Sequence, residues 1–262
     1  MIKAVFIALA IEITKIRKSR IFWITIGVSC FVSAILALMM FLVQNPDILP
    51  PGILKTKIDL AAISADWPAY IGFVEMVAGA LGIILFGFTV SWIFGREYHD
   101  RTAKDLLALP VSRSSIVFSK LIAVSLWCFL LNTITFVSAC IFGALLNLPL
   151  WSPSLFPDFL KVFFMATLLS IMLCPPVAFV ASIGRGYLPS IGFVILCMGL
   201  ANLFGNIGLG AYFPWTIPML YTGAIGETGN RLLPESAIII LLTCLAGILG
   251  TVYYWKYADL DK

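Results

Sequence analysis

Residues 21–43 read IFWITIGVSCFVSAILALMMFLV, 23 consecutive positions from Ile21 to Val43 without a charge. About 20 apolar residues wound as a helix cross the ~30 Å hydrocarbon core of a bilayer. A membrane β-barrel strand would alternate apolar and polar positions over a shorter length, whereas this run is continuous. It therefore predicts a transmembrane helix, and the rest of the chain repeats the pattern.

Residues 70–95 carry one charge, Glu75, near their start, and 121–146 and 162–183 carry none. Residues 187–204 and 237–254 are shorter and equally clean. Six spans are expected. Hydrophobic residues make up 61% of the 262 and charged ones 11%, with a mean hydropathy of +1.04. That composition leaves too little polar surface for a soluble domain of this size. The expected fold is an all-α membrane protein, with a single six-helix membrane unit at 21–262 preceded by an interfacial amphipathic helix at 1–20.

Lys and Arg set the expected orientation. With the N-terminus inside, 13 of the 17 basic residues fall on the cytoplasmic side, and Lys55, Lys57, Lys161 and Arg231 remain outside. Both termini are then cytoplasmic. The net charge of +4 expresses this bias and does not argue for nucleic-acid binding. The first residues superficially resemble a signal peptide, but the cluster Lys15, Arg17, Lys18 and Arg20 resists translocation. A short helix lying on the inner surface fits better, with Lys3, Glu12, Lys15, Arg17 and Lys18 at headgroup level. A simple extension of the first span is the other reading.

Turn signals punctuate the outer side. Asn45-Pro46-Asp47 and Pro50-Pro51-Gly52 open the loop at 44–69, and Pro149, Pro153 and Pro157 predict an irregular stretch at 147–158. Gly184-Arg185-Gly186 makes a tight inner turn. The apolar but glycine- and proline-broken segment 205–236 suits short, broken outer helices between spans 5 and 6, or else a wandering apolar loop. The six cysteines all fall inside spans and read as small apolar fillers.

Polarity gathers in one place. Arg96, Glu97, Asp100, Arg101, Lys104, Asp105, Arg113 and Lys120 lie within 25 positions between the second and third spans. Thr102 to Leu109 can form a short helix bearing Leu106, Leu107 and Leu109, stopped by Pro110. Charges of both signs suit docking into a cleft of a soluble partner; an ordinary charged loop obeying the positive-inside rule is the alternative.

The run Gly95-Arg96-Glu97, Arg101-Thr102, Leu106-Leu107, Leu109-Pro110, Ser112-Arg113 and Lys120 resembles the inner loop of ATP-binding-cassette exporter permeases of the second type. It is most similar to that of bacitracin-resistance and lantibiotic-immunity permeases. The resemblance implies that Glu97, Arg101, Thr102, Leu106, Pro110 and Arg113 are elements of a coupling helix that meets a separate P-loop ATPase. It further implies a second permease copy or paralogue, ATP and Mg bound by the ATPase and not by this chain, and a bacterial plasma membrane. The function implied is export of an amphipathic peptide, antibiotic or lipid-like substrate.

Within the spans, Glu75 is a candidate for the substrate pathway, since an intramembrane carboxylate is costly; near the outer boundary it can also simply reach water. Asn132 is expected to hydrogen-bond a neighbouring helix. Pro175-Pro176 must bend the fourth span. Trp67, Trp151, Trp215 and Trp255 read as interfacial anchors. His99 is the sole histidine, and the chain contains no G-x-S-x-G, H-E-x-x-H, zinc spacing or G-x-x-x-x-G-K-[ST]. No catalytic or metal-binding residues are therefore assigned. A proton-coupled transporter using Glu75 and a non-transporting immunity or sensor protein are the rival functions.

Overall fold

A computed structural model of the chain describes residues 2–48, 64–100, 102, 112–226 and 232–257, with side chains from residue 5 onward. The described residues form helices α1 (Ile2–Arg17), α2 (Arg20–Gln44), α3 (Trp67–His99), α4 (Arg113–Leu145), α5 (Leu155–Met172), α6 (Cys174–Ile183), α7 (Tyr187–Asn206), α8 (Ile217–Tyr221) and α9 (Pro234–Tyr257), with short 3-10 turns between some of them. Six of these segments are long and apolar enough to cross a membrane, α5 and α6 together counting as one.

Local chemistry sets the boundaries. The Ser19 hydroxyl accepts from Phe22 N at 3.2 Å and donates to Ile16 O at 2.7 Å, ending α1 and capping α2 in one residue. Asp66 caps α3 through Ala69 N at 2.9 Å. Ser112 caps α4 through Ser115 N at 3.2 Å. The expected third span began at 121, yet the helix starts eight residues earlier at Arg113. Charge marks where a helix leaves hydrocarbon, not where its hydrogen bonds stop. At 33 residues each, α3 and α4 run about 50 Å, well beyond the ~30 Å core.

The fourth span is interrupted at Leu173, directly before Pro175-Pro176, as the missing amide donors require. α9 lies along α6 at this break. A Cβ on Gly247 would stand 2.6 Å from the Pro175 carbonyl carbon, and one on Gly250 would stand 3.0 Å from the Phe179 ring. α3 takes the central position, against α2, α4, α5, α6, α7 and α8. Its glycines permit this: a Cβ on Gly95 would meet Tyr187 N at 2.5 Å, and one on Gly87 would meet Val194 at 2.6 Å. Small residues at contacts are how helices approach closely where burial from water supplies no drive.

Polar side chains complete the packing. Asn132 of α4 donates to Thr167 of α5, as the sequence predicts. Ser33 of α2 donates to Thr135 O at 3.1 Å and accepts from Ser138 at 2.8 Å. Tyr70 donates to Ala139 O at 3.0 Å.

Residues 147–154 are irregular, with Asn147 and Leu150 at positive φ, but α5 begins at Leu155 and takes Pro157 into its first turn, where an amide donor is not needed. Arg185, at φ 47°, makes the tight turn between α6 and α7. The segment from Gly205 is not a wandering loop. It contains the 3-10 turns Gly210–Tyr212 and Pro214–Thr216 and then α8. Thr216 donates to Ala201 O at 3.2 Å, and Ser236 donates to Ala211 O at 2.9 Å. Pro218 O would lie 2.7 Å from a Cβ on Gly79, twelve residues and about 18 Å along α3 from its start. The broken segment thus enters the bundle and satisfies its backbone there.

Three of the four tryptophans expected as belt anchors are instead packed inside. Trp67, Trp215 and Trp255 are buried, whereas Trp151 is exposed. Trp255 Nε1 donates to Ser182 Oγ at 2.9 Å, and the Trp67 and Trp151 rings meet at 4.6 Å between centroids, tilted by 58°. Helix ends here carry neighbours as well as solvent, and an indole at that depth fills the interhelical gap first. The six cysteines are unpaired thiols, three of them buried.

Candidate functional site

α1, α3 and α4 meet at the charged end of the bundle, where they enclose five ionic side chains. The Lys120 ammonium, wholly enclosed, lies 3.1 Å from Glu12 Oε1 and 2.9 Å from Glu97 Oε1. Lys15 approaches the same Glu97 oxygen at 3.3 Å. Arg96 reaches Glu12 Oε2 at 3.2 Å and Glu97 Oε1 at 3.6 Å. Its guanidinium carbon also sits 4.6 Å above the Trp92 ring. Three cations thus surround two carboxylates.

The sequence pattern explains the convergence. Glu12 and Lys15 stand three residues apart on α1, on neighbouring positions of one face. Lys120 lies seven residues, two turns, after Arg113 and so projects from the stem of α4, not from its tip. Arg96 and Glu97 close α3. Burying charge is costly unless every ion is paired, and here each carboxylate has at least two cationic partners.

The network also holds the loop that follows α3. Thr102 Oγ1 donates to Glu97 Oε2 at 2.6 Å, and Thr102 N donates to Glu97 O at 3.0 Å. At the other end of that loop, Arg113 Nη1 donates to the carbonyls of Trp255 and Lys256, both at 3.2 Å. A guanidinium at the last turn of a helix satisfies carbonyls left without intrahelical donors and complements the helix dipole. The loop is thereby fastened to α3 at its start and to α9 at its end.

Of the residues expected to couple to an ATPase, Glu97 is buried and faces the ion network. Thr102 and Arg113 make the two fastenings, while Arg101, Leu106 and Pro110 lie outside the described residues. Glu12, expected at headgroup level, is instead 4% exposed and part of the cluster; the attraction of Arg96 and Lys120 outweighs its hydration. Arg17 and Lys18 are exposed, as expected. Sequence reasoning placed Lys120 in the charged stretch but not among the coupling residues, and left Glu12 out of the site. The available signal was Lys120 itself: once Ser112 is taken as a helix cap, that lysine lies inside the helix.

Glu75 lies toward the far end of α3, 8% exposed. Asp158 of α5 and Tyr221 of α8 are within electrostatic range of its carboxylate. The structure does not bring it near the ion network. Among the described residues no group of three or more His, Cys, Asp or Glu side chains is placed to hold a metal ion.

Comparison with known proteins agrees with this architecture. Residues 8–201 match the ABC-2 family transporter protein family. The chain is also 30% identical over 181 residues to the bacitracin transport permease protein BCRB of Bacillus licheniformis, an alignment covering 69% of this chain and 86% of that one. Family match, relative and six membrane-crossing helices agree: the chain is a multi-pass integral membrane permease of the ABC-2 transporter family.

Proposed function

We propose that the chain is the membrane subunit of an ATP-driven exporter for an amphipathic peptide, antibiotic or lipid-like substrate, with ATP hydrolysed on a separate P-loop subunit that binds ATP and Mg. The similarity to a bacitracin transport permease carries this reading. The functional unit in this reading contains a second permease copy or paralogue. The charged end faces the cytoplasm, both termini included, and α1 lies along the inner membrane surface with its charged face turned to the bundle.

The geometry at the charged end supports a division of labour in coupling. In this reading Arg101, Leu106 and Pro110 are the residues that meet the ATPase. Glu97, Thr102 and Arg113 transmit its movement, because their bonds tie the loop to α3 and α9. ATP-driven closure of the ATPase pair then moves a fastened loop, and α3 shifts with it as a rigid element. Cargo must bind the two arrangements unequally, since a ligand that binds both alike shifts nothing. Glu75, buried with Asp158 and Tyr221 within electrostatic range, is the proposed polar contact along the substrate path.

The test is a tagged pull-down in mild detergent, comparing wild type with the Arg101→Ala/Leu106→Ala double variant. Wild type is expected to bring down a P-loop ATPase, and the variant to lose it while eluting as a single folded species. An ATPase retained by both forms removes the loop residues from the interface. A folded wild type that captures no ATPase overturns the exporter reading.

A further inference from the structure

One groove between helices lies apart from the fastened loop. At the charged end, a cavity of about 420 Å³ opens between α2, α3 and α7. Its lining includes Arg96, His99 and Asp100 around the mouth and Trp92 and Phe88 deeper along α3. Phe88 is shared with a second cavity of about 370 Å³, which continues between α2 and α3 past Ile24, Val28 and Leu81. Charged side chains are thus confined to one end of the slot. From Asp100 to Phe88 the path is twelve residues, about 18 Å of helix, close to one leaflet of a ~30 Å hydrocarbon core plus its headgroup layer.

The charges at the mouth are of both signs. Arg96 uses part of its guanidinium on Glu12 and Glu97, but its five N–H groups exceed those two contacts. His99 stands beside Tyr187, with 3.5 Å between Tyr187 OH and His99 Nδ1. Asp100 caps α3 through its backbone N–H. Its side chain is exposed and has no hydrogen bond or ion pair among the described residues. A purely anionic headgroup would meet Arg96 but be repelled by Asp100. A zwitterion that carries a phosphate and a primary ammonium matches both.

We infer that this groove is a binding site for a bilayer phosphatidylethanolamine: its phosphate at Arg96 and His99, its ammonium at Asp100, and an acyl chain along Trp92 and Phe88. An ammonium offers three N–H donors to the Asp100 carboxylate, whereas the quaternary amine of phosphatidylcholine offers none. This inference needs only that the protein is embedded in a membrane, and it stands or falls independently of ATP-driven export.

Native mass spectrometry of the purified full chain, in detergent with equal amounts of phosphatidylethanolamine, phosphatidylcholine and phosphatidylglycerol, tests it. Wild type is expected to retain one phosphatidylethanolamine in about fivefold preference to phosphatidylcholine, the scale of one partly exposed ion pair. Asp100→Ala, which removes no side-chain bond among the described residues, should bring that ratio to near one, and His99→Ala should lower retention of both. Equal retention by wild type, a preference for phosphatidylglycerol, no retained lipid, or a preference unchanged in Asp100→Ala would each overturn the assignment.

Discussion

Lys120 shows how one side chain sets the character of the charged end. Its ammonium touches no solvent and bridges carboxylates from two other helices. Replacing it with Met leaves Glu12 and Glu97 dependent on Arg96 and the half-exposed Lys15, and adds apolar volume beside them. Removing one partner of a buried ion pair costs about 3–5 kcal/mol, because the remaining charge stays desolvated. Lys120→Met should therefore lower the thermal midpoint in detergent clearly. The Lys120→Met/Glu97→Gln double variant should recover part of the loss, since it removes the stranded charge. A Lys120→Met protein as stable as wild type would mean the network is not what fixes α1 to the bundle. None of this pairing was readable in advance. Glu12 and Lys120 stand 108 residues apart, and a single chain gives no sign that α1 returns to α4. Glu97 stood out in the sequence by its motif-like surroundings, yet the motif carries no information about burial.

The six spans were legible among the elements because hydrocarbon thickness imposes a length, and uncharged runs of that length stand out in any sequence. The extension of α3 and α4 beyond those runs was not, since backbone hydrogen bonding continues where hydropathy changes. The Pro175-Pro176 interruption was foreseeable from the missing donors, but the element that fits against it was not. That element is α9, and Gly247 is the point of contact. A methyl group there would collide with the backbone of Pro175 and Pro176, which cannot rotate aside as a flexible side chain would. Gly247→Ala should therefore destabilise the protein by about 1–3 kcal/mol, as overpacking does. Gly199 of α7 is the contrast, with open space where its Cβ would stand. Gly199→Ala should be neutral or stabilising by up to about 1 kcal/mol, since glycine in a helix interior is the more costly residue. Denaturation of the two variants side by side in one detergent separates steric contact from helix propensity. Equal effects would remove the close approach of α9 to α6.

For the whole molecule, the fastened loop, the buried ion network and the exposed basic residues Arg17 and Lys18 all occupy one end of the bundle. Ser152 to Ser154 and the broken segment at α8 occupy the other. The positive-inside bias predicts that the charged end is cytoplasmic, and the packing gives that bias a mechanical consequence. In the proposed reading, the end that meets a soluble ATPase is also the end where α1, α3, α4 and α9 are tied together. Lys and Arg in short loops near span ends resist translocation, so the expected orientation rests on chemistry independent of the family. Single cysteines at Arg17→Cys and Ser154→Cys test it, both sites being exposed. The native thiols sit within spans, three buried and three partly buried, and should stay silent to a charged, membrane-impermeant maleimide. In intact cells the reagent should label Ser154→Cys at once and Arg17→Cys only after the membrane is permeabilised. Labelling in the reverse order would place the loop between α3 and α4 outside the cell, where no ATP-driven partner could reach it, and the coupling role of Thr102 and Arg113 would fall with it.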